Sequence, residues 1–385
     1  MPDRTRPEEV GAGALGLYLH IPFCTSICNY CNFNRGLLDK DLKRHYVDVL
    51  RREIGCAGDQ SPVDSIFFGG GTPSLLGADE VAALVSACGE AFDVATDAEV
   101  TLEMNPESAS ETYVADLLAT GVNRISLGVQ SFDDRELARL SRMHDADGAR
   151  EAVAAIRRAG CENLSLDLML WLPAQRPEDV AASIDTAIGL TPDHLSLYLL
   201  ELYPNAPLRE EMARANWSLA PDEEAATMYL EALARTDAAG YEQYEISNVA
   251  RPGHRARHNL KYWQDGAWLG FGCGAHSTRD GARWRNVSAI ARYADAVERG
   301  ETVIEEHRML SRDERLGDAL FTGLRLTEGI DLISLGCRYG VDVEARFGCR
   351  VRPYIDAGLL SENEGRWRLS RHGMLVSNEV LGAFV

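Results

Sequence analysis

The sequence predicts an α/β fold, namely an open, partial (β/α)6 barrel followed by a smaller, mainly helical C-terminal domain. Two observations predict it. Six short β-rich runs alternate with amphipathic stretches whose apolar residues recur with the helical period of about 3.6. This alternation then stops near residue 205. Repeated β–α units form a parallel sheet with right-handed crossovers, and six strands fall short of the eight that close a complete barrel.

The predicted elements follow one another regularly along the first half of the chain. The strands are Leu17–His20, Ser65–Phe68, Glu99–Met104, Arg124–Gly128, Leu164–Met169 and His194–Leu199. The helices between them are Asp41–Ile54, Ala78–Ala91, Glu111–Thr120, Gly148–Ala159 and Pro177–Gly189. Turn residues at the ends of these stretches support the assignment.

The second half of the chain shows a different pattern. The sequence predicts a helix at Pro221–Ala239, a loop rich in Gly, His, Trp and Arg from Tyr241 to Arg285, and a mainly helical region from about Ser311 with a short hairpin near Gly365–Leu369. We therefore divide the chain into a polar tail (1–15), the barrel domain (16–240), a linking region (241–300) and the C-terminal domain (301–385).

Composition excludes several classes of protein. Hydrophobic residues make up 45% and charged residues 25% of the 385, the balance of an ordinary globular protein. The formal net charge of −20 argues against broad nucleic-acid binding. No apolar run approaches the roughly 18 residues of a membrane span, and no secretory signal pattern opens the chain. We expect a cytoplasmic protein without an integral membrane segment; peripheral contact with a membrane stays open.

Three of the nine cysteines crowd into the segment Cys24-Thr-Ser-Ile-Cys28-Asn-Tyr-Cys31. Thiolates are soft ligands that suit iron–sulfur clusters. Three cysteines leave one iron of a cubane open, and the amino and carboxylate groups of S-adenosylmethionine (SAM) can chelate that iron. We therefore predict a [4Fe–4S] cluster at these cysteines. The alternatives are a zinc site, which would want a fourth nearby ligand, and three unrelated cysteines.

Further polar residues lie at the ends of the predicted strands. The Gly-rich turn Phe68–Pro73 follows the second strand, and its glycines let backbone groups approach a ligand closely. Glu103 ends the third strand, Gln130 follows the fourth and Asp167 lies on the fifth. Because the carboxyl ends of barrel strands face the ligand, these residues are candidates for SAM contacts. Taken singly, each could also be an ordinary turn or a buried polar residue satisfied by the backbone.

These motifs resemble the radical SAM superfamily, and within it the coproporphyrinogen dehydrogenase-like family of HemN and HemW, from about Tyr18 to the C-terminus. The most specific pieces are Tyr-x-His-Ile-Pro-Phe-Cys (18–24), Gly-Gly-Gly-Thr-Pro-Ser (69–74), Gly-Val-Gln-Ser (128–131), Tyr-Glu-Ile-Ser-Asn (244–248), Ala-Arg-Pro-Gly (250–253) and His-Asn-Leu-Lys-Tyr-Trp (258–263). The resemblance implies cluster ligation by Cys24, Cys28 and Cys31. It also implies SAM contacts from Tyr18, Tyr30, Gly70, Gly71, Thr72, Glu103, Gln130, Arg142 and Asp167. Arg142 is expected on the helix just after the Gln130 strand.

Two departures bear on the branch of the family, and a third bears on the cavity. The dehydrogenase branch carries an additional cysteine two residues after the third cluster ligand, where Phe33 stands here. That branch also has a longer N-terminal extension, whereas the first strand here begins near residue 16. Both departures favour the HemW-like branch, which is regarded as a group of haem-binding chaperones. Trp171 stands where a glycine usually precedes Leu-Pro, so the cavity beside the adenosine site is expected to differ.

The segment Arg251–Trp263 has a composition that suits haem, which needs an axial ligand, an apolar slot and cations for its propionates. It contains His254, His258 and Tyr262 among arginines and a lysine. Its end looks like the His-Asn-x-x-Tyr-Trp signature associated with haem in the family, and we take His258 as the predicted axial ligand. The alternative is that these side chains pack the last helices against the barrel mouth.

The leading hypothesis is a haem chaperone that carries a [4Fe–4S] cluster and SAM and passes haem to an acceptor, expected to be a respiratory cytochrome. It would also need an electron donor, which the sequence does not name. A second hypothesis is oxygen-independent coproporphyrinogen III oxidation by a 5′-deoxyadenosyl radical, and a third is a radical SAM enzyme with another substrate. No catalytic residue is assigned, so whether the protein is an enzyme is left open.

Overall fold

A mixed sheet of 12 strands organises residues 13–384, the part of the chain that the computed structural model describes. The strands, including those of two smaller sheets, are β1 (Leu15–Ile21), β2 (Phe23–Cys24), β3 (Gly36–Leu37), β4 (Pro62–Gly70), β5 (Asp93–Met104), β6 (Arg124–Gln130), β7 (Leu164–Leu170), β8 (His194–Leu199), β9 (Glu242–Glu245), β10 (Asn248–Ala250), β11 (Trp268–Phe271), β12 (His276–Arg279), β13 (Ala282–Asn286), β14 (Ile304–Met309), β15 (Ile330–Asp331), β16 (Leu360–Asn363) and β17 (Arg366–Leu369).

Helices connect these strands and build most of the C-terminal region. They are α1 (Lys40–Ala57), α2 (Ala78–Ala91), α3 (Glu111–Ala119), α4 (Asp134–Arg139), α5 (Ala146–Arg158), α6 (Pro177–Gly189), α7 (Pro207–Ala215), α8 (Asp222–Ala238), α9 (Arg257–Trp263), α10 (Ile290–Arg299), α11 (Arg312–Gly323), α12 (Leu332–Tyr339), α13 (Val343–Asp356), α14 (Arg371–Leu375) and α15 (Ser377–Leu381). Within residues 13–384, none of them combines the length and apolarity needed to span a bilayer.

The large sheet has the order β14-β13-β12-β11-β1-β4-β5-β6-β7-β8-β10-β9. Strands β11 through β8 in this order run parallel to one another, and the flanking strands are antiparallel. All six predicted strands lie at the centre in the predicted order, and the edge strands β14 and β9 do not meet. The predicted open α/β barrel is therefore confirmed.

The burial pattern of β1 shows which of its side chains face the barrel interior. Leu17 and Leu19 of β1 are fully buried in the same apolar cluster as Tyr46 and Leu50 of α1. Successive side chains of a strand point to opposite faces. Because the leucines face the helices, Tyr18, which lies between them, faces the barrel interior. The carboxylate of Asp39 accepts hydrogen bonds from two backbone amides of the first turn of α1, which fixes where that helix begins.

The predicted loop Tyr241–Arg285 is wrong, because this segment contains β9 to β13 and α9. Its strands have only three to five residues. Runs this short are ambiguous in periodicity, and the existing sheet supplies their partners. Strand β11 pairs in parallel with β1 and adds a seventh parallel strand.

The C-terminal region is mainly helical, as predicted, and its hairpin β16–β17 turns at Gly365, whose φ is +71°. Strand β17 also pairs with β15. The division of the chain at residues 240 and 300 stays a prediction. Residues 1–12 of the predicted polar tail lie outside the described residues.

Candidate functional site

Residues 22–35, called here the cysteine loop, follow β1 at the carboxyl end of the parallel strands. Cys24 is buried and lies in β2, which pairs in parallel with β3 on the far side of the loop. The backbone amide of Cys31 donates to the carbonyl of Cys28 at 3.2 Å, so these two residues share one turn. The three predicted ligands thus lie on one anchored loop.

The Gly-rich turn after β4 passes directly under the cysteine loop. The Gly71 amide donates to the Ile21 carbonyl at 2.8 Å. A Cβ atom on Gly71 would lie 2.7 Å from the Phe23 carbonyl oxygen and 3.0 Å from Cys24 Sγ, so only glycine fits there. Thr72 Oγ1 lies 3.6 Å from Cys24 Sγ, within reach of a hydroxyl-to-sulfur hydrogen bond.

Arg142 reaches the cysteine loop from the other side of the barrel. Its Nη1 lies 3.6 Å from Cys28 Sγ, and its Nη2 lies 2.7 Å from both Asn105 Oδ1 and the Gly128 carbonyl oxygen. The predicted position of Arg142 on a helix is wrong, because α4 ends at Arg139 and Arg142 lies in the loop before α5. Freed from the helix, the guanidinium can extend across the barrel mouth.

A second cation beside the cysteines was missed by sequence reasoning. The Arg35 guanidinium donates to the backbone carbonyls of Cys31 and Phe33. Burial raises the pKa of the Cys24 and Cys31 thiols, and the positive charge of Arg35 lowers it in part. A guanidinium next to thiols favours the thiolate form that binds iron. The only signal in the sequence is an arginine four residues after the last cysteine.

Two carboxyl groups lie inside the barrel, Glu103 on β5 and Asp167 on β7. The Gly70 amide donates to Glu103 Oε2 at 3.1 Å, and Ser126 Oγ lies 3.1 Å from both Asp167 oxygens. Burial and the charge of Asp167 raise the pKa of Glu103 to about 8, and burial raises the pKa of Asp167. A cationic ligand between these groups would favour their ionised forms.

Tyr18 connects this interior to the cysteine loop. Its hydroxyl lies 3.1 Å from His20 Nδ1, and His20 Nε2 lies 2.8 Å from the Asn34 carbonyl oxygen. The Tyr18 ring stacks on Phe67 of β4, with ring centres 6.1 Å apart. Tyr18 is therefore held between the sheet and the loop.

The remaining predicted SAM contacts lie at the same end of the barrel. Tyr30 packs against an apolar cluster that includes Leu140 and Leu208. Gln130 ends β6 with a φ of +68°, a strained backbone of the kind that occurs at ligand sites. Trp171 also has a positive φ, of +62°, and its indole N–H donates to the Ala220 carbonyl at 2.7 Å.

His258 lies near the amino ends of the strands, and its ring and the Tyr18 ring both stack on Phe67. Its Nδ1 is 3.0 Å from Ser65 Oγ, near the start of β4, and its Nε2 is 2.9 Å from the Tyr262 hydroxyl. The ring is 1% exposed and stacks on Phe67 with centres 5.3 Å apart. Burial lowers the pKa of His258 to about 3, so the ring is neutral. In this conformation both nitrogens have partners and neither is free to bind iron.

The residues around His258 pack α9 against the amino ends of β1 and β4. Lys261 Nζ lies 2.6 Å from Asp64 Oδ1 and donates to the Ala14 carbonyl. The alternative interpretation of the sequence placed this packing at the barrel mouth. That position is wrong, because Ser65 and Ala14 lie near the amino ends of β4 and β1.

The donor set at the cysteine loop fits an iron–sulfur cluster. Arg142 Nε is buried and has no hydrogen-bond partner among the described residues, which leaves a donor available beside Cys28. Between residues 13 and 384, no three His, Cys, Asp or Glu side chains are arranged to hold a single metal ion.

The parallel sheet with a three-cysteine loop at its carboxyl edge defines the class: residues 18–187 match the radical SAM superfamily, and residues 310–376 match the HemN C-terminal domain. Membership of this superfamily implies a [4Fe–4S] cluster and SAM. The fold is similar to that of coproporphyrinogen III oxidase (HemN) from Escherichia coli, with a TM-score of 0.86 at 23% identity over 97% of this chain and 90% of that one.

Relatives in sequence cover the chain almost completely. The chain is 34% identical over 374 residues to the heme chaperone HemW of Bacillus subtilis, which spans 96% of this chain and 98% of the relative. It is 33% identical over 384 residues to the heme chaperone HemW of Escherichia coli, with 96% and 98% covered. The chain belongs to the HemW family within the radical SAM superfamily.

Proposed function

We propose that the protein is a haem chaperone, which binds haem and passes it to an acceptor. The observation that carries this proposal is the similarity to heme chaperone HemW proteins along the whole chain. The fold alone does not separate a chaperone from the dehydrogenase, since it is shared with HemN. Phe33 supports the chaperone because it stands where the dehydrogenase branch has another cysteine.

We propose that Cys24, Cys28 and Cys31 bind three irons of the cluster and leave the fourth to SAM. When bound, the cluster and SAM supply one-electron reductive chemistry at the sulfonium. The chain's own residues position the pair. Arg142 and Arg35 place positive charge beside the thiolates, and the Gly70–Thr72 turn offers backbone groups to the ligand. The proposed SAM contacts are Tyr18, Tyr30, Gly70, Gly71, Thr72, Glu103, Gln130, Arg142 and Asp167.

We propose that haem contacts the barrel mouth beside the cysteine loop. Seven large apolar side chains are exposed there: Ile27, Phe33, Leu37, Met143, Tyr198, Leu199 and Tyr203. The loops that carry them touch, because Thr25 Oγ1 lies 3.8 Å from Met143 Sδ and the Leu208 amide donates to the Asn29 carbonyl. Exposed apolar surface of this kind marks a binding site, and the flat faces of a porphyrin are apolar.

The alternative haem site is His258, which the motif suggested as axial ligand. For His258 to bind iron, its ring would have to leave Ser65 or Tyr262 and the packed interior under the sheet. The barrel mouth requires no such rearrangement, since Phe33 is 62% and Met143 63% exposed. Substitutions at His258 and Phe33 distinguish the two sites.

The remaining expectations concern partners and location. We propose a cytoplasmic protein that hands haem to a respiratory cytochrome and receives electrons from a donor protein. The composition supports this placement, and the net charge of −20 gives no basis for a nucleic-acid partner. Peripheral contact with a membrane, where respiratory cytochromes reside, would bring donor and acceptor together.

The haem chaperone and the dehydrogenase predict different results in one paired experiment. With the cluster reconstituted anaerobically, a haemin titration should saturate at about one haem per chain, by a stoichiometric increase of the Soret band. The same preparation with SAM and a reductant should not convert coproporphyrinogen to protoporphyrinogen. Decarboxylating turnover would establish the dehydrogenase, and the absence of saturable haem binding would contradict the chaperone.

The buried Glu103 predicts that SAM binding depends on pH. Its pKa of about 8 keeps the carboxyl neutral at pH 7 in the empty protein, whereas the positive charge of bound SAM favours the carboxylate. Binding must therefore remove a proton below pH 8. We expect affinity to rise with pH, by at most about tenfold per pH unit, from pH 6 to 8 and then to level off. Calorimetric titrations of wild type and E103Q check this, since glutamine should reduce the slope to the part that Asp167 contributes; an equal slope in E103Q would contradict the assignment.

A further inference from the structure

Asn105 lies at the end of β5, between the two side chains that touch the cluster cysteines. Its Oδ1 is 2.7 Å from Arg142 Nη2, and its Nδ2 is 3.2 Å from Thr72 Oγ1. The same Arg142 lies 3.6 Å from Cys28 Sγ, and Thr72 lies 3.6 Å from Cys24 Sγ. Asn105 thus completes a chain of polar contacts from one cysteine sulfur to the other.

The chemistry of its partners fixes the orientation of the Asn105 amide. Arginine carries only hydrogen-bond donors, so the amide atom that faces Arg142 must be the oxygen. The amide nitrogen then faces Thr72 and donates to its hydroxyl oxygen. Thr72 is buried, and its single hydroxyl hydrogen is left to point towards Cys24 Sγ.

We propose that Asn105 is a positioning residue for the iron–sulfur cluster, acting through Thr72 and Arg142, which donate to Cys24 and Cys28. Neither the sequence motifs nor the resemblance assigned it a role. The inference rests on the proposed ligation of the cluster by Cys24 and Cys28. Donors aimed at the ligand sulfurs stabilise the additional negative charge of the reduced cluster and raise its reduction potential.

The substitution N105D tests this proposal with almost no change of volume. A carboxylate can still accept from Arg142, but it has no hydrogen to donate. The Thr72 hydroxyl would then donate to the carboxylate and leave Cys24 without its donor. We expect the midpoint potential of the cluster, measured without SAM by electron paramagnetic resonance during a redox titration, to shift to more negative values at unchanged iron content.

T72V removes the same donor directly and should shift the potential in the same direction, and the double variant N105D/T72V should shift it less than the sum of the two. The matched control is N123D, because Asn123 also bridges strand segments, through its contacts to Val100 and Ala98, near the other end of the sheet. Its potential should equal that of wild type.

The outcomes separate the inference from the proposal on which it rests. A wild-type potential in fully loaded N105D, or additive shifts in the double variant, would overturn the role of Asn105. If N105D does not hold iron, the comparison of T72S with T72V tests the hydrogen bond to Cys24. Serine keeps the hydroxyl and valine lacks it. Equal midpoint potentials in these two variants would show that residue 72 does not donate to Cys24. If wild type itself binds no cluster, the proposed ligation fails instead.

Discussion

Alanine at Cys24, Cys28 or Cys31 should abolish the cluster signal in electron paramagnetic resonance and its response to SAM. The three thiols lie on one loop, and the structure positions Thr72 and Arg142 against two of them. Removing one thiolate leaves a cluster with two protein ligands and a second open iron. The measurement is the spectrum of the dithionite-reduced, reconstituted protein with and without SAM, together with the iron content per chain.

Cys161 provides the control for this loss. It is buried in the apolar core beside α5, and its thiol lies 3.4 Å from the Asn163 carbonyl oxygen, far along the chain from the cysteine loop. C161A should keep the cluster spectrum, with at most a modest loss of stability from the vacated volume. A triple variant of the loop that retained about four irons per chain would show that the cluster is bound elsewhere.

The central fold follows from the sequence because its signals are local. The run Leu164–Met169 has the β-rich pattern of a buried strand, and the stretch Ala78–Ala91 has helical spacing between turn residues; both were predicted within a residue of their bounds. Each run is long enough for the spacing of its apolar residues to distinguish a strand from a helix. The cysteine loop was equally accessible, since its spacing is a chemical signature in itself.

The rest depends on contacts between distant segments. Strand β11 has four residues and acquires its identity only by pairing with β1. Arg142 was recognised, but its loop position follows from the end of α4 rather than from a motif. Asn105 was visible in the sequence next to Glu103, yet its role requires Thr72 and Arg142 to meet there. A single sequence does not reveal such contacts between distant residues.

The motif around His258 shows a further limit of prediction, because the composition of a segment does not reveal whether its side chains are buried. Histidine, tyrosine, tryptophan and basic side chains suit a haem site, and they equally suit a polar network beneath a sheet. The structure places His258 in such a network, between Ser65 and Tyr262. The mouth of the barrel, where the apolar side chains are exposed, carries no comparable motif.

H258A should therefore lower the free energy of unfolding by about 3–5 kcal/mol, through the cavity that it leaves and the two hydroxyl groups that lose a partner. Chemical denaturation of the apoprotein measures this change. H307A is the control, because His307 is exposed on β14 and should cost little. The pH dependence gives an independent check. The unfolded ring takes up a proton near pH 6.5 and the folded ring only near 3, so wild type loses stability as pH falls through this range and H258A loses less.

Haem binding by the same variant decides between the two proposed haem sites. If haem binds at the barrel mouth, folded H258A keeps the stoichiometry and Soret spectrum of wild type, because the ring lies near the amino ends of the strands. F33E then places a charge on the apolar surface beside the cysteine loop and should weaken haem binding at least about tenfold, while the exposed position of Phe33 leaves stability nearly unchanged. The reverse result, a lost Soret band in H258A and normal binding in F33E, would mean that the ring leaves Ser65 and Tyr262 to bind iron.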